Sequence, residues 1–199
     1  MRSGNTGHPP QNIECAAHSS PGQAEYVLGM YALVFVMIIA MATLQIMQYK
    51  ADSDIAEDAL AASCLAALDV DPYRYGTDHT LVINDPAHAR EIFENALIQN
   101  MDLNADLTPD EDAPYISGAV SIDDFRIYLV DGDTVTEYTV GASNVVTNTG
   151  AYGNMKTPSG TVVRSAGAYA RISFDTEGFP GLRIRASKDA YAEMIGRSG

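Results

Sequence analysis

Hydrophobic residues are concentrated in one long block near the N-terminus of the chain. Between Tyr26 and Met47, only Thr43 and Gln45 have clearly polar side chains, and none of these 22 residues is charged. As an α-helix the block would be about 33 Å long, enough to cross the hydrocarbon core of a bilayer, which is about 30 Å thick. The pattern therefore predicts a transmembrane helix that spans the membrane at residues 26–47.

The residues around the block favour a retained anchor over a cleaved signal peptide. The triplet Ala-Met-Ala at 40–42 resembles a signal-peptidase site. However, the block continues beyond it, and the charge that precedes the block is Glu25 rather than Lys or Arg. Tyr26 and Tyr49 lie at the two ends and Lys50 follows, as in an aromatic belt with a snorkelling amine. A buried helix of a soluble core rarely needs such a long apolar run.

The helix is expected to begin before the membrane and to continue beyond it. Ser20 can act as its N-cap, Pro21 suits the first helical position, and Gln23 completes a capping box. The next proline is Pro72, and the segment before it is rich in alanine, which has high helix propensity. We predict one long helix over residues 21–68, about 70 Å in length.

The second half of this helix carries an apolar stripe. Leu60, Cys64 and Leu68 recur at intervals of four residues, and we expect Ile55 and Leu65 to lie on the same broad side. The stripe should pack against the C-terminal region. Cys64 is then a small apolar helix residue rather than a reactive thiol.

Residues 69–199 combine short strand patterns with one helix pattern and predict an α+β head, with helices packed on one face of a small antiparallel sheet. The expected elements are a strand at 79–84, a helix at 85–101 that starts with Asp85-Pro86, a hairpin at 119–140 with its turn at Asp131-Gly132, and strands at 160–175 and 181–187.

Residues 1–20 are rich in Gly, Pro, Ser and Asn, and we expect a disordered leader or tail. The positive-inside count is a tie between Arg2 and Lys50. The α-amino group favours an N-terminus inside and a head outside the cytoplasm. Cys15 and Cys64 would then lie on opposite sides of the membrane and could not form a disulfide with each other.

The chain is acidic, with 26 Asp and Glu, 12 Lys and Arg, and a net charge of −14. Residues 50–125 hold 17 of the acidic and 3 of the basic side chains, whereas residues 126–199 hold 7 and 8. An acidic surface disfavours nucleic acid and anionic lipid as partners. The two unlike surfaces could steer subunits into head-to-tail contact, or the acidic one could be an ordinary solvated face.

Motifs for catalysis or cofactor binding are missing from the sequence. It has no GxGxxG, P-loop, HExxH or GxSxG motif. His79 and His88 lie near several carboxylates, but no Ser or Cys nucleophile occurs in a recognisable context. We therefore predict a protein that is not an enzyme and needs no cofactor.

One acidic loop, residues 102–112, has part of the pattern of a calcium-binding loop. Asp102, Asn104, Asp106 and Thr108 alternate as in the first part of an EF-hand loop. Leu107 stands where that loop needs Gly, and the position of its bidentate Glu is occupied by alanine. The two interpretations are a calcium site, with Glu111 and Asp112 as substitute ligands, and a solvated acidic loop.

The architecture over residues 20–199 resembles that of type IV pilin-like proteins. A short polar leader precedes Glu25-Tyr26, which opens an apolar helix with an Ala-rich extension and a small β-rich head. The resemblance is closest to the TadE-like pseudopilins of tight-adherence pili, whose major pilins also have a Glu-Tyr pair just inside the processing site. The segment Thr157–Asp175 is similar to head segments of such proteins in Gram-positive bacteria.

This resemblance implies a structural subunit that is anchored in the cell membrane and assembles through helix packing into a surface pilus or secretion apparatus. Glu25 and Tyr26 are then the assembly residues. The implied partners are membrane lipid and other pilin or secretion-system subunits, with calcium as a further candidate.

The candidate processing residues depart from the family pattern. Family peptidases typically cut after Gly and leave Glu as the fifth mature residue. Counting back from Glu25 places Pro21 first and Ser20 before it, whereas a cut after Gly22 makes Glu25 the third residue. A second hypothesis therefore stays open: an uncleaved single-span membrane protein of a secretion or conjugation apparatus, with an extracytoplasmic binding domain.

Overall fold

The computed structural model describes residues 21–68, 85–110, 116–178 and 182–194. Within them lie two helices and five strands: α1 (Pro21–Ala67), α2 (Pro86–Asn100), β1 (Ser121–Asp131), β2 (Thr134–Val140), β3 (Val145–Ala151), β4 (Gly167–Gly178) and β5 (Leu182–Glu193). A long apolar N-terminal helix is followed by an antiparallel sheet, so the predicted α+β class is confirmed. By packing, the chain divides into the units Met1–Leu44 and Gln45–Gly199, and α1 contributes residues to both.

The C-terminal part of α1 buries the predicted stripe. Leu60 and Cys64 are fully buried and Leu68 nearly so, together with Ala56 and Ala67. Alanine at these positions lets the helix backbone approach the sheet closely. The Cys64 thiol lies against the carbonyl oxygen of Ala190 in β5, at 4.0 Å.

The prediction that Ile55 and Leu65 share this side is wrong, because they are 48% and 52% exposed. At 3.6 residues per turn, Leu65 lies about 140° around the helix from Leu60. The buried stripe is therefore narrower than the sequence pattern suggested.

Helix α2 begins as predicted. The Oδ1 atom of Asp85 accepts hydrogen bonds from the backbone N–H of Ala87 at 2.9 Å and of His88 at 3.3 Å, and Pro86 occupies the first helical position. The helix buries Ala89, Phe93 and Leu97, and the ring of Phe93 stacks on Phe125 of β1 with centroids 4.6 Å apart. This contact fixes α2 against the sheet.

The strands form one antiparallel sheet in the order β3-β2-β1-β4-β5. The predicted hairpin is β1–β2, in which Asp131 pairs with Thr134 across a two-residue turn. The turn residues are Gly132 and Asp133, one position later than predicted, and Gly132 has a φ of 56°. Glycine at the first central position is typical of type II′ hairpin turns.

Three strand predictions differ from the structure. The strand expected at 160–175 begins only at Gly167, because residues 157–161 form a turn closed by the bridge between Lys156 and Val162, with Gly160 at a φ of 90°. The strand expected at 181–187 extends to Glu193, and β3 was not predicted. The strand expected at 79–84 lies outside the described residues, as do residues 1–20.

Candidate functional site

The N-terminal half of α1 is an apolar helix with an exposed surface. Every side chain from Glu25 to Leu44 is exposed, including Tyr26 at 84%. The helix is long and apolar enough to cross a membrane, and none of its most apolar segment is buried. This distinguishes the block from Leu60 and Cys64 further along the same helix, which lie in a protein core. A surface of this size on a soluble protein would be an interaction site or a source of aggregation.

The polar groups in the block suit an apolar environment. A helix satisfies its own backbone hydrogen bonds, which is required in lipid. The hydroxyl of Thr43 donates to the carbonyl oxygen of Ile39 at 2.8 Å, so this side chain is also satisfied within the helix. Gln45 lies one residue past Leu44 and is half-buried.

The predicted assembly residues lie together at the start of the helix. Glu25 and Tyr26 line one groove along α1 with four apolar residues, Gly22, Gly29, Met30 and Leu33. Apart from the glycine itself, its chain neighbours and the backbone of the same helix, no described atom lies within 4 Å of where a Cβ would stand at Gly22 or Gly29. The groove combines a carboxylate, an aromatic ring and a bare helix backbone, and a second helix could approach it closely.

The three candidate processing residues are only partly described. Pro21 is the first residue of α1, and Gly22 is exposed within it. Ser20 lies outside the described residues. Glu25 is the fifth residue of the helix and lies beyond its first turn, which holds no acidic side chain. The field of the helix dipole has largely fallen off at that position.

In the loop that resembles a calcium site, several polar groups form hydrogen bonds with other residues of the same loop. Asp106 accepts hydrogen bonds from the backbone N–H and the hydroxyl of Thr108, and these bonds lower the pKa of Asp106. The amide of Asn104 donates to the Thr108 hydroxyl at 3.3 Å and to the carbonyl oxygen of Pro109 at 3.2 Å. Leu107 takes the positive φ, 62°, that an EF-hand assigns to Gly.

Metal ligands do not converge in the part of the chain that is described, where no three His, Cys, Asp or Glu side chains are placed to hold an ion. Glu111 and Asp112 lie outside it, and so does His79. The geometry of residues 102–110 favours a solvated loop, and the calcium site stays a prediction. His88 is exposed and contacts Glu91 at 3.3 Å.

A polar network that the sequence did not predict lies on the face of the sheet away from the helices. Arg126 of β1 contacts Asp124 at 2.8 Å and the Oε1 atom of Glu137 at 2.9 Å. The buried hydroxyl of Tyr128 donates to the same Oε1 at 2.9 Å, and Asn148 of β3 donates to Oε2 at 3.3 Å. The network ties β1, β2 and β3 together. The sequence shows only single polar residues at alternate strand positions. It could not predict the network, because the contacts depend on the register between strands.

The electrostatics of the network identify it as structural. Burial by itself raises the pKa of Glu137, but hydrogen bonds from Arg126, Tyr128 and Asn148 outweigh it and hold the pKa below its usual value. Burial and the bond to Glu137 raise the pKa of Tyr128. Both carboxylate oxygens of Glu137 already accept hydrogen bonds, so this group is poorly placed to bind a substrate or move a proton. Burial also raises the pKa of the Cys64 thiol to about 12, so it is inert at neutral pH.

The network predicts an acid-sensitive head. The folded-state pKa of Glu137 lies below that of the unfolded chain, so its contribution is present above the unfolded pKa, near 4.3, and is lost as pH falls through the folded value. Glu137→Ala should cost about 1–3 kcal/mol at neutral pH, because the Tyr128 hydroxyl loses its acceptor. Thermal melts between pH 7 and pH 3 should show this difference shrinking on acidification. Glu91→Ala, at an exposed position on α2, is the control. If it lowered the stability of the head as much as Glu137→Ala, the structural role assigned to the network would be contradicted.

Comparison with known proteins adds no family, since no protein-family model, no curated protein and no solved structure matches this chain.

Proposed function

We propose that this chain is a structural subunit, a pilin-like or pseudopilin protein anchored by one N-terminal helix and assembled through packing of that helix into a surface pilus or secretion apparatus. The observation that carries the proposal is the exposed apolar surface of α1 from Tyr26 to Met47, with Glu25 at its entrance. Lipid covers this surface before assembly, and neighbouring α1 helices cover it afterwards. The head lies outside the cytoplasm.

The buried stripe further along α1 supports the proposal, because it shows that the two halves of the helix have different surroundings. Ala56, Leu60, Cys64 and Ala67 bury their side chains within the head, where Lys188 of β5 also contacts Glu57 of α1 at 3.1 Å. The side chains of residues 26–44, in contrast, are exposed throughout. One helix thus supplies both a packing element for the sheet and a free apolar surface for lipid and other subunits.

The second candidate function is an uncleaved single-span protein of a secretion or conjugation apparatus, with the head as a binding domain. Proline at the first position of α1 favours it, because the family peptidase normally cuts after Gly, and Pro21 obstructs a cut after Ser20. Both functions share the anchor and the orientation of the head.

Intact mass of the chain extracted from its own membrane separates the two. A processed pilin-like subunit should begin near residues 21–23, and a chain that begins at residue 1 supports the uncleaved protein. Gly22→Ala serves as a comparison variant: it should reduce processing if the cut follows Gly22 and should leave the mass distribution unchanged otherwise. A full-length wild-type mass would contradict the processed form of the proposal.

A further inference from the structure

The edge strand β3 is open in the described structure. It pairs with β2 on one side over its whole length, from Val145 to Ala151, and lies at the end of the sheet order on the other. Six of its seven residues are exposed and none is buried. No described element covers its outer side. An open strand edge is a ready template for another strand, and proteins usually protect such edges.

Of the two edge strands described, one carries features that hinder pairing with another strand and the other does not. β5, the opposite edge strand, carries five charged side chains: Arg183, Arg185, Lys188, Asp189 and Glu193. β3 has the sequence VVTNTGA, with no charge, no proline and no register shift against β2. Charged side chains and bulges block edge-to-edge pairing, so only β3 is suited to strand addition.

One hydrogen bond at each end of the β2–β3 pairing shows which β3 residues bond to β2 and which direct their N–H and carbonyl groups outward. The N–H of Gly141 donates to the carbonyl of Asn144, and the N–H of Tyr152 donates to the carbonyl of Asp133, both at 2.8 Å. Bonded pairs alternate along an antiparallel ladder, so residues 146, 148 and 150 bond to β2. The outward-facing residues are Val145, Thr147, Thr149 and Ala151.

The outward residues of β3 are complementary to a second copy of the same strand. In an antiparallel pair with a two-fold axis at Asn148, Val145 faces Ala151 and Thr147 faces Thr149. All four outward N–H groups and all four carbonyls of each copy then find partners. Facing threonines are favourable cross-strand pairs, Val146 meets only Gly150, and no like charges oppose each other.

Although each copy carries −14, β3 itself has no charged side chain, so charge does not oppose its approach to a second copy. Residues 138–174, which include β3, contain no Asp or Glu and three basic side chains, Lys156, Arg164 and Arg171. The acidic residues 50–125 of two copies, in contrast, would repel one another. We infer that β3 is a self-association edge, through which two copies of this chain join their sheets across a two-fold axis into one continuous sheet. This contact lies in the head and does not depend on α1 or Glu25.

The test is disulfide formation between full-length chains in their own membrane. In a Cys15→Ser background, Asn148→Cys places the two thiols at the axis, as a non-hydrogen-bonded pair with Cα atoms about 4.5 Å apart, within disulfide reach. Ile184→Cys on β5, which is 47% exposed, is the matched control. The Asn148→Cys chain should cross-link to a dimer and the Ile184→Cys chain should not. Equal cross-linking of both, or none at position 148, would overturn the inference.

A proline variant separates pairing from folding. Thr149→Pro removes an outward N–H and keeps every bond to β2, a position where edge strands tolerate proline. In the Asn148→Cys background it should lower the cross-linked fraction roughly tenfold, since two of the intermolecular bonds are lost. Measured on reduced protein dilute enough to be monomeric, where loss of the dimer contact has no effect, the melting temperature should match that of the Asn148→Cys chain. A lower melting temperature under these conditions would show that the outward N–H of Thr149 is used within a single chain, and would overturn the inference.

Discussion

Val36→Arg is expected to weaken membrane insertion of the chain by about 2.5–3.5 kcal/mol, the cost of Arg at the centre of a transmembrane helix. This is roughly a 60- to 400-fold change in the partition constant. Val36 lies at the middle of residues 26–47 and is 63% exposed, so the substitution disturbs no packing in the described protein. Any effect on insertion therefore comes from the charge and not from lost packing within the described protein.

Membrane flotation followed by carbonate extraction measures this effect. Val36→Leu is the matched control, because it changes shape and keeps the position apolar, and it should behave as wild type. The head of the Val36→Arg chain should keep its melting temperature, since its core residues are in the unit Gln45–Gly199. Unchanged extraction of the Val36→Arg chain would contradict a spanning helix at 26–47.

Glu25→Gln is expected to leave insertion unchanged and to reduce assembly sharply. In a single chain Glu25 is exposed and can stay in the headgroup zone. Among packed apolar helices water is excluded, and a carboxylate there needs a cation. In the proposed pilin-like assembly, that cation would be the α-amino group of a neighbouring processed subunit. Loss of one partner from a buried ion pair costs about 3–5 kcal/mol.

The measurement is the fraction of the variant found in sheared filaments or in the isolated assembly complex, with total membrane protein as reference. Asp54→Asn is the matched control, because it removes the same charge from an exposed position further along α1. It should assemble normally. If the Glu25→Gln chain is incorporated as well as wild type, Glu25 is only an exposed helix residue, and the assembly role assigned to it is wrong.

Local chemistry made the helices and the first hairpin predictable. An uninterrupted apolar and Ala-rich segment without proline defines α1, and Asp85-Pro86 defines the start of α2 within one residue of the observed position. Gly132 indicates the β1–β2 turn to within one residue. In each case the deciding interaction lies within a few residues along the chain.

Features that depend on distant residues were missed. β3 exposes nearly all its side chains on both faces, so its sequence shows no alternation of apolar and polar positions. Val163 precedes β4 and lies in no strand, and its side chain is buried with Tyr128 and Tyr169. The Glu137 network exists only once the register pairs Glu137 with Tyr128 and Asn148. The role of Glu25 rests on the sequence and its exposure.

In the proposed subunit, residues 26–47 are surrounded by lipid and by other helices rather than by water. Carbonate extraction of the full-length wild-type chain from native membranes, without detergent, tests this arrangement most directly. We expect the chain to remain in the membrane pellet, with the head digested by protease added from outside and α1 protected across residues 26–47. Recovery of the intact chain in the soluble fraction would contradict the anchor, and with it the proposed structural subunit.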